Sequence, residues 1–287
     1  MADLQAWREN LTRLTFIYSY RRGSFILSSG RQSNYYIDGK QVTMSPEGLY
    51  QTALYIISSL QQSGIRADAV GGLTLGADAI AAGVTALSCT SPGAAPLPSF
   101  IVRKEAKKHG TRSQIEGPFT RGCRAVIVDD VLTTGASVLN AAAAVEAAGS
   151  RVAAVYVLVD RLEGGRENVT GAGYSLHAIL TRAELEAMQE QLEARYPKLT
   201  ASLQGENVDW PGLPWEELSA RQERIAEAVR RYAMALYRKS REEAVVREEL
   251  SAAPQAILKI IKAAEFHPHG AQEALRLLAG LTGKQAD

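Results

Sequence analysis

One stretch of the sequence decides the fold, and it reads Val126-Ile127-Val128-Asp129-Asp130-Val131-Leu132-Thr133-Thr134-Gly135-Ala136-Ser137. The apolar residues at its start predict a buried strand over residues 124–128. Two adjacent carboxylates follow this strand, then a loop of small hydroxyl and glycine residues, and then a predicted helix. Because α/β sheets bind ligands beyond the carboxyl ends of parallel strands, the acids and the loop are the first candidates for a functional site.

The residue types in this stretch indicate what such a site binds. Thr133, Thr134, Gly135 and Ser137 form a loop at a helix N-terminus, where backbone N–H groups and hydroxyls suit a phosphate group. Gly135 also permits a close approach of the backbone to a ligand. The two carboxylates cannot bind that phosphate, so they face hydrogen-bond donors or a cation, such as the vicinal hydroxyls of a ribose with Mg²⁺ nearby. The stretch therefore predicts a cradle for a ribose 5-phosphate.

Strand and helix patterns alternate along most of the chain. A helix over 4–18 is followed by two short strands near 24–27 and 34–37, and a helix begins at Ser45-Pro46-Glu47. Further strands are predicted at 67–72, 99–102, 152–159 and 175–180, with helices at 77–87, 137–148 and 183–195. Continuous apolar strands that alternate with helices predict an α/β fold with a mainly parallel sheet covered on both faces.

Composition excludes several classes of protein. The 287 residues contain 32 Lys and Arg against 31 Asp and Glu, a net charge of +1, so bulk charge gives no reason to expect a nucleic-acid partner. With 46% hydrophobic and 22% charged residues the chain is typical of globular proteins. No apolar run is long enough for a membrane span, and the charged start is unlike a secretory signal. Cys89 and Cys123 lack CxxC spacing, which favours reduced thiols and a cytoplasmic location.

The alternation of strand and helix patterns ends near residue 196. Beyond an aromatic and proline-rich connector, Leu218, Ile225, Val229, Tyr232 and Leu236 form one stripe of a helix. A second helix is predicted to begin at Pro254 and a third to span 271–281. We therefore predict two domains, 1–200 and a small all-α module at 201–287.

A second unusual segment is basic. It reads Val102-Arg103-Lys104-Glu105-Ala106-Lys107-Lys108-His109-Gly110-Thr111-Arg112 and places six basic or imidazole side chains within ten residues. Charge runs are usually solvated faces. In a nearly neutral chain, however, a cationic loop that closes over a diphosphate would supply charge where a leaving group develops it.

The acidic stretch resembles the signature of type I phosphoribosyltransferases, and the basic segment resembles the catalytic loop of orotate phosphoribosyltransferases, whose pattern is Arg-Lys-x-x-Lys-x-His-Gly. The resemblance implies a type I phosphoribosyltransferase fold with an N-terminal hood. It implies that phosphoribosyl diphosphate (PRPP) is bound by the residues Arg103, Lys104, Lys107, His109, Asp129, Asp130, Val131, Leu132, Thr133, Thr134, Gly135, Ala136 and Ser137. Lys107, Asp129 and Asp130 are the catalytic candidates, and Lys107 is expected to have the largest effect.

Three further segments resemble the same family, so that five motifs appear in family order within residues 1–195. Residues 25–36 resemble the hood, whose backbone near Tyr36 and Ile37 would meet the pyrimidine ring. Residues 71–78 resemble the diphosphate loop, here Thr74, Leu75 and Gly76. Residues 160–165 resemble the element whose arginine, here Arg161, pairs with the orotate carboxylate, and Thr133 would also touch the base. Ser28 and Gly76 stand where, or close to where, some relatives carry lysines.

The implied reaction makes orotidine 5′-monophosphate and diphosphate from orotate and PRPP, a step of pyrimidine biosynthesis. It implies Mg²⁺ held mainly by the substrate, with no direct metal ligand in the protein, and a homodimer in which the basic loop reaches the neighbouring subunit's site. Two alternatives stay open: a transferase for another base such as a purine, and a regulator that senses PRPP. A bifunctional protein that also decarboxylates the product is excluded, because the module at 201–287 is too short for a TIM-barrel decarboxylase. The sequence does not indicate what this module does.

Overall fold

The structure is a computed structural model that describes residues 4–26, 32–104, 114–204, 212, 227, 229–231 and 247–282. The strands in these residues are β1 (Tyr20–Ile26), β2 (Gln32–Ile37), β3 (Ala69–Leu73), β4 (Ser99–Val102), β5 (Ile115–Glu116), β6 (Arg124–Leu132), β7 (Arg151–Asp160) and β8 (Leu176–Thr181). The α-helices in these residues with at least one full turn are α1 (Leu4–Tyr18), α2 (Lys40–Thr43), α3 (Pro46–Gln62), α4 (Gly76–Ser88), α5 (Ala136–Ala147), α6 (Gly165–Gly171), α7 (Arg182–Arg195), α8 (Pro197–Gln204), α9 (Arg247–Phe266) and α10 (Gly270–Thr282).

A six-stranded sheet has the order β5-β4-β3-β6-β7-β8. All of its neighbours are parallel except β4 and β5, which are antiparallel. The chain adds β4 and β5 on one side of β3 and then returns to add β6, β7 and β8 on the other. The strand order therefore reverses between β3 and β6, which is where open α/β sheets place their ligands. The predicted parallel sheet is confirmed.

Alternating side chains of the central strands pack into two apolar cores. On one face Val126, Val128 and Tyr156 pack with α3 and α4. On the other face Ala125 and Ile127 pack with α5 and α6. Because both faces are covered, the strands have the continuous apolar character that the sequence shows.

Capping explains where α3 begins. The Ser45 hydroxyl accepts a hydrogen bond from the Gly48 N–H at 3.1 Å, and Pro46 occupies the first helical position. This satisfies one of the N–H groups that a helix start leaves without a partner. The predicted helix start at Ser45-Pro46 is confirmed.

The chain divides into two compact units. The first comprises Met1–Thr15 and Ile37–Leu185 and contains the six-stranded sheet. The second comprises Phe16–Tyr36 and Glu186–Asp287, which brings β1 and most of β2 together with the C-terminal helices. This grouping by compactness differs from the division at residue 200, which stays a prediction. No helix in the described segments is long and apolar enough to cross a membrane.

Candidate active site

The acidic pair lies inside β6 rather than after it. This strand continues to Leu132, which pairs with Asp160 of β7, so the prediction that the strand ends at Val128 was wrong. Asp129 is 7% exposed and Asp130 is 8% exposed. Asp129 pairs with Val157 of β7, and Asp130 follows within the same strand, so both acids lie at the carboxyl edge of the sheet.

Local hydrogen bonds orient the two carboxylates. The Asp130 N–H donates to Asp129 Oδ1 at 3.0 Å, and the Val131 N–H donates to Asp130 Oδ1 at 2.9 Å. Burial, and then the negative charge of Asp130, raise the pKa of Asp129 well above its usual value. The pair thus resists carrying two full negative charges, and it gains from a ligand that brings hydroxyl donors or positive charge.

Two other segments approach the pair so closely that they require glycine. A Cβ on Gly76 would lie 2.2 Å from Asp129 Oδ1, and a Cβ on Gly39 would lie 2.8 Å from the Asp130 Cβ. Next to Gly39, the Lys40 Nζ lies 3.7 Å from Asp130 Oδ2 and 2.8 Å from Asp38 Oδ1. Sequence reasoning missed Asp38 and Lys40 because they follow a short strand without a recognisable motif.

The loop after β6 forms a small cavity at the start of α5. Gly135 adopts a left-handed φ of 84°, which turns the chain into the helix. The cavity has a volume of about 70 Å³ and is lined by Asp129 and by residues 131–138. That is room for a group larger than one water molecule. A helix N-terminus and two threonines border it, so its chemistry suits a phosphate group.

Helix α6 packs against this loop at the Thr133 and Thr134 carbonyls. A Cβ on Gly165 would lie 2.5 Å from the Thr133 carbonyl oxygen, so only glycine lets the two segments meet. The Asn168 side-chain amide also donates to the Thr134 carbonyl at 2.9 Å. Sequence reasoning missed both supporting residues. The Gly164-Gly165 pair was a usable signal, because adjacent glycines mark a turn or a close backbone approach.

Arg161 follows β7 at the same edge of the sheet. Its side chain is 9% exposed and forms an ion pair with Glu163 at 2.9 Å. Its backbone N–H donates to the Leu132 carbonyl at 3.0 Å, next to the loop after β6. Asp160 shapes the turn, because it accepts hydrogen bonds from the Leu162 N–H and from Arg166 Nε. Arg161 is thus a buried cation close to the predicted phosphate loop.

The predicted diphosphate loop connects β3 to α4. The Thr74 hydroxyl donates to Asp78 Oδ2 at 2.6 Å, and Leu75 caps the helix without a side-chain hydrogen bond. Because Gly76 closely approaches Asp129, this loop places the backbone at the start of α4 next to the acidic pair.

The remaining predicted residues lie further out or outside the described part of the chain. Arg103 follows β4 and pairs with Glu116 at 3.2 Å, and Lys104 is exposed. Lys107, His109 and Ser28 lie outside the described residues. Tyr36 and Ile37 end β2. The tyrosine belongs to the second compact unit and is exposed, and the isoleucine belongs to the first and is buried.

Within the described residues, no three His, Cys, Asp or Glu side chains cluster in a way that could hold a metal ion. The acidic pair does offer carboxylate oxygens, the ligand type that Mg²⁺ prefers.

The chain is similar to known orotate phosphoribosyltransferases. Residues 69–173 match the phosphoribosyl transferase domain family. The orotate phosphoribosyltransferase of Nostoc sp. (strain PCC 7120) is 41% identical over 192 residues, 67% of this chain and 91% of that protein. The crystal structure of the Mycobacterium tuberculosis H37Rv enzyme with Fe(III) dicitrate has a TM-score of 0.55 at 35% identity and covers 62% of this chain and 98% of its own. The same enzyme in complex with PRPP has a TM-score of 0.52 at 32% identity, with coverage of 63% and 99%.

Proposed function

The chain belongs to the orotate phosphoribosyltransferase family, and we propose that it transfers the phosphoribosyl group of PRPP to orotate at the sheet edge where β3, β6 and β7 end. One observation supports this site most directly. The buried pair Asp129 and Asp130, the loop cavity at the start of α5 and the buried Arg161 all lie at the carboxyl ends of adjacent strands. The proposed products are orotidine 5′-monophosphate and diphosphate.

In the proposal the loop after β6 and the acidic pair bind different parts of PRPP. In the proposal the 5′-phosphate occupies the cavity lined by residues 131–138, where the N-terminus of α5 favours negative charge. The ribose hydroxyls donate to Asp129 and Asp130, whose lone pairs are aligned by the two backbone hydrogen bonds. The diphosphate group then lies towards Thr74 and Gly76, at the start of α4.

Magnesium fits this arrangement as a partner of the substrate. In the proposal Mg²⁺ is held mainly by the diphosphate and not by direct protein ligands, while the carboxylates of Asp129 and Asp130 accept the ribose hydroxyls. Bound Mg²⁺ would neutralise charge on the diphosphate as it departs.

The acceptor base is assigned to Arg161. Its planar guanidinium can hold the orotate carboxylate through two hydrogen bonds. The ion pair with Glu163 presents the guanidinium in one orientation. Thr133, and the backbone near Tyr36 and Ile37, remain the other predicted contacts of the base.

The proposed reaction is a substitution at the anomeric carbon of the ribose. A ring nitrogen of orotate forms the new C–N bond while the C–O bond to diphosphate breaks, and the electron pair leaves with diphosphate. The ring carbonyls acidify the nitrogen, whose N–H bond breaks as the new bond forms, and the proton passes to solvent water. The protein aligns the two reactants and stabilises the departing charge, which are the main sources of catalysis in such a transfer.

The basic loop and the assembly complete the proposal. Arg103, Lys104, Lys107 and His109 contact the diphosphate, and the loop serves the active site of the neighbouring subunit in a homodimer. Cys89 and Cys123 are free thiols, which is consistent with the proposed cytoplasmic location.

A steady-state assay with orotate, PRPP and Mg²⁺ tests the function. The wild-type chain is expected to form orotidine 5′-monophosphate, and Lys107→Ala is expected to lower kcat by about 10²–10³, the usual cost of removing a charge-stabilising donor. Lys108→Ala is the matched control, since the neighbouring lysine lies at an unspecified position of the loop pattern, and it should retain wild-type turnover. Preference for hypoxanthine over orotate, or equal losses in the two variants, would contradict the proposal.

A further inference from the structure

A lysine that belongs to none of the predicted motifs lies at the edge of the proposed donor site. Lys40 is the first residue of α2, and its side chain is 45% exposed. Its ammonium lies 2.8 Å from Asp38 Oδ1 and 3.7 Å from Asp130 Oδ2. All three residues belong to the first compact unit, as do β3, β6 and the loops that follow these strands. A partly exposed cation is thus placed next to one carboxylate of the acidic pair.

The backbone around Lys40 is fixed, whereas the end of its side chain is not enclosed. Gly39 packs against Asp130 so closely that a Cβ would lie 2.8 Å from the Asp130 Cβ, and Val42 is fully buried. The Asp38 carboxylate also accepts a hydrogen bond from the Lys40 N–H at 3.3 Å. A lysine ammonium is a point charge on a flexible four-carbon stem, so its position can adapt to a ligand while the backbone stays in place.

The Asp130 carboxylate faces the proposed diphosphate loop as well as Lys40. A Cβ on Gly76 would lie 2.6 Å from Asp130 Oδ1, whereas the Lys40 ammonium approaches Oδ2. The backbone at the start of α4 and the lysine are therefore each next to one oxygen of the same carboxylate. A diphosphate placed at Thr74 and Gly76 comes within reach of the Lys40 side chain.

The elements that form the diphosphate loop carry no positive charge of their own. Residues 67–102, which include β3, α4 and β4, contain neither Lys nor Arg. Acidic groups do border the loop, since Asp78 accepts a hydrogen bond from the Thr74 hydroxyl and Asp129 lies beside Gly76. A diphosphate brings further negative charge to this position, and like charges repel each other. A cation from another element would offset this repulsion, in addition to the Mg²⁺ that accompanies the diphosphate.

We propose that Lys40 is a diphosphate-binding residue. Before PRPP binds, its ammonium offsets part of the charge of Asp130. When PRPP binds, the ribose hydroxyls donate to Asp130 and the ammonium turns to the diphosphate, while Asp38 keeps it close to the loop. This inference rests on the proposed function and adds a contact to its donor site.

Substitution of Lys40 in the full-length chain tests the proposal by kinetics. Lys40→Met keeps the length of the side chain and removes the charge. It is expected to raise KM for PRPP about tenfold, the cost of one hydrogen bond to a charged group, and KM for orotate by less than about twofold. Lys40→Arg keeps a cation, and its KM for PRPP should stay within about threefold of wild type. Arg66→Met is the matched control, because this exposed cation lies between α3 and the start of β3, at the opposite edge of the sheet, and it should change neither constant.

Direct binding separates a diphosphate contact from an effect on the acidic pair. Isothermal titration calorimetry gives the affinity of each variant for inorganic diphosphate with Mg²⁺ and, separately, for ribose 5-phosphate. Lys40→Met should weaken diphosphate binding about tenfold and ribose 5-phosphate binding by less than about twofold. An equal loss for both ligands would mean that Lys40 acts only through Asp130, and this result overturns the inference, as does an unchanged affinity for diphosphate.

Further variants keep the test decisive. If Lys40→Met does not fold, Lys40→Gln is judged by the same criteria. Asp38→Asn keeps the lysine but removes its anchor, and it should weaken diphosphate binding about threefold, as expected for a partly exposed ion pair. A wild-type chain that does not convert orotate refutes the proposed function, whereas an active wild type with an unchanged diphosphate affinity in Lys40→Met refutes this inference alone.

Discussion

At the scale of single residues, burial gives Lys262 an unusual titration. Removal from water, followed by the nearby charge of Arg21 on β1, lowers its pKa from 10.5 to about 7, and Glu193 on α7 opposes the shift. Between about pH 7 and 10, therefore, this lysine stays protonated in the unfolded chain but loses its proton in the folded chain.

The sign of the resulting pH dependence follows from proton linkage. Since the unfolded state binds more protons in this range, the free energy of unfolding rises with pH by up to ~1.4 kcal/mol per pH unit from this group. We expect the wild type to gain stability relative to Lys262→Met between pH 7 and 9, as measured by urea denaturation. A stability difference that is constant over this range would contradict the assignment.

At the scale of elements, the phosphate loop depends on the start of α6. Gly165→Ala would place a methyl group 2.5 Å from the Thr133 carbonyl oxygen, so the loop or the helix must shift. We expect KM for PRPP to rise about tenfold, since overpacking costs about 1–3 kcal/mol. Gly171→Ala in the same helix is the control, because its added methyl group meets nothing within 4 Å. Steady-state kinetics compare the two, and equal effects would contradict the packing argument.

Elements with a clear apolar period and a local end signal could be predicted from the sequence. Helix α3 is an example, since Ser45 caps it and Pro46 opens it. The end of β6 could not be predicted, because buried carboxylates are rare in strands, where burying a charge is costly unless it is paired or hydrogen-bonded. Helix α6 was missed since its glycines are typical of a turn. The prediction that Pro254 begins a helix was wrong, because α9 starts at Arg247 and contains this proline.

In the candidate site, too, some residues could be predicted from the sequence and others could not. The acids and the loop were predicted because they come at the carboxyl end of an apolar strand run, whereas Arg161 was predicted only from the resemblance of residues 160–165 to the family; all of these site roles stay predictions. Lys40 and Asn168 could not be found, because they reach the site from elements whose positions depend on tertiary packing.

At the scale of the whole molecule, one compact unit is formed by two stretches of the chain that are far apart in the sequence. Residues 16–36 group with residues 186–287, although α1 runs without a break through the boundary at residue 15. A continuous amphipathic helix gives no sign that its last turn belongs to another unit, so this grouping could not be predicted from the sequence.

The proposed sharing of the basic loop predicts complementation between two inactive variants. Lys107→Ala has a defective loop and an intact pocket, whereas Arg161→Ala has an intact loop and a defective pocket. If the loop serves the neighbouring subunit, an equal mixture that exchanges subunits regains about a quarter of wild-type activity, since half of the dimers are mixed and each has one complete site. Activity of the mixture after subunit exchange is the measurement. No recovery, with mixed dimers shown by native mass spectrometry, would mean that each loop serves its own chain.

The contact at Gly76 limits how this enzyme could be redesigned. An engineer who wished to restore the lysine that some relatives carry near this position would find no space for any side chain there, because the first carbon atom would collide with the carboxylate of Asp129. The preceding residue offers the opening, since Leu75 is 73% exposed. A library built around the donor site should therefore hold position 76 constant and place new cationic groups one residue earlier.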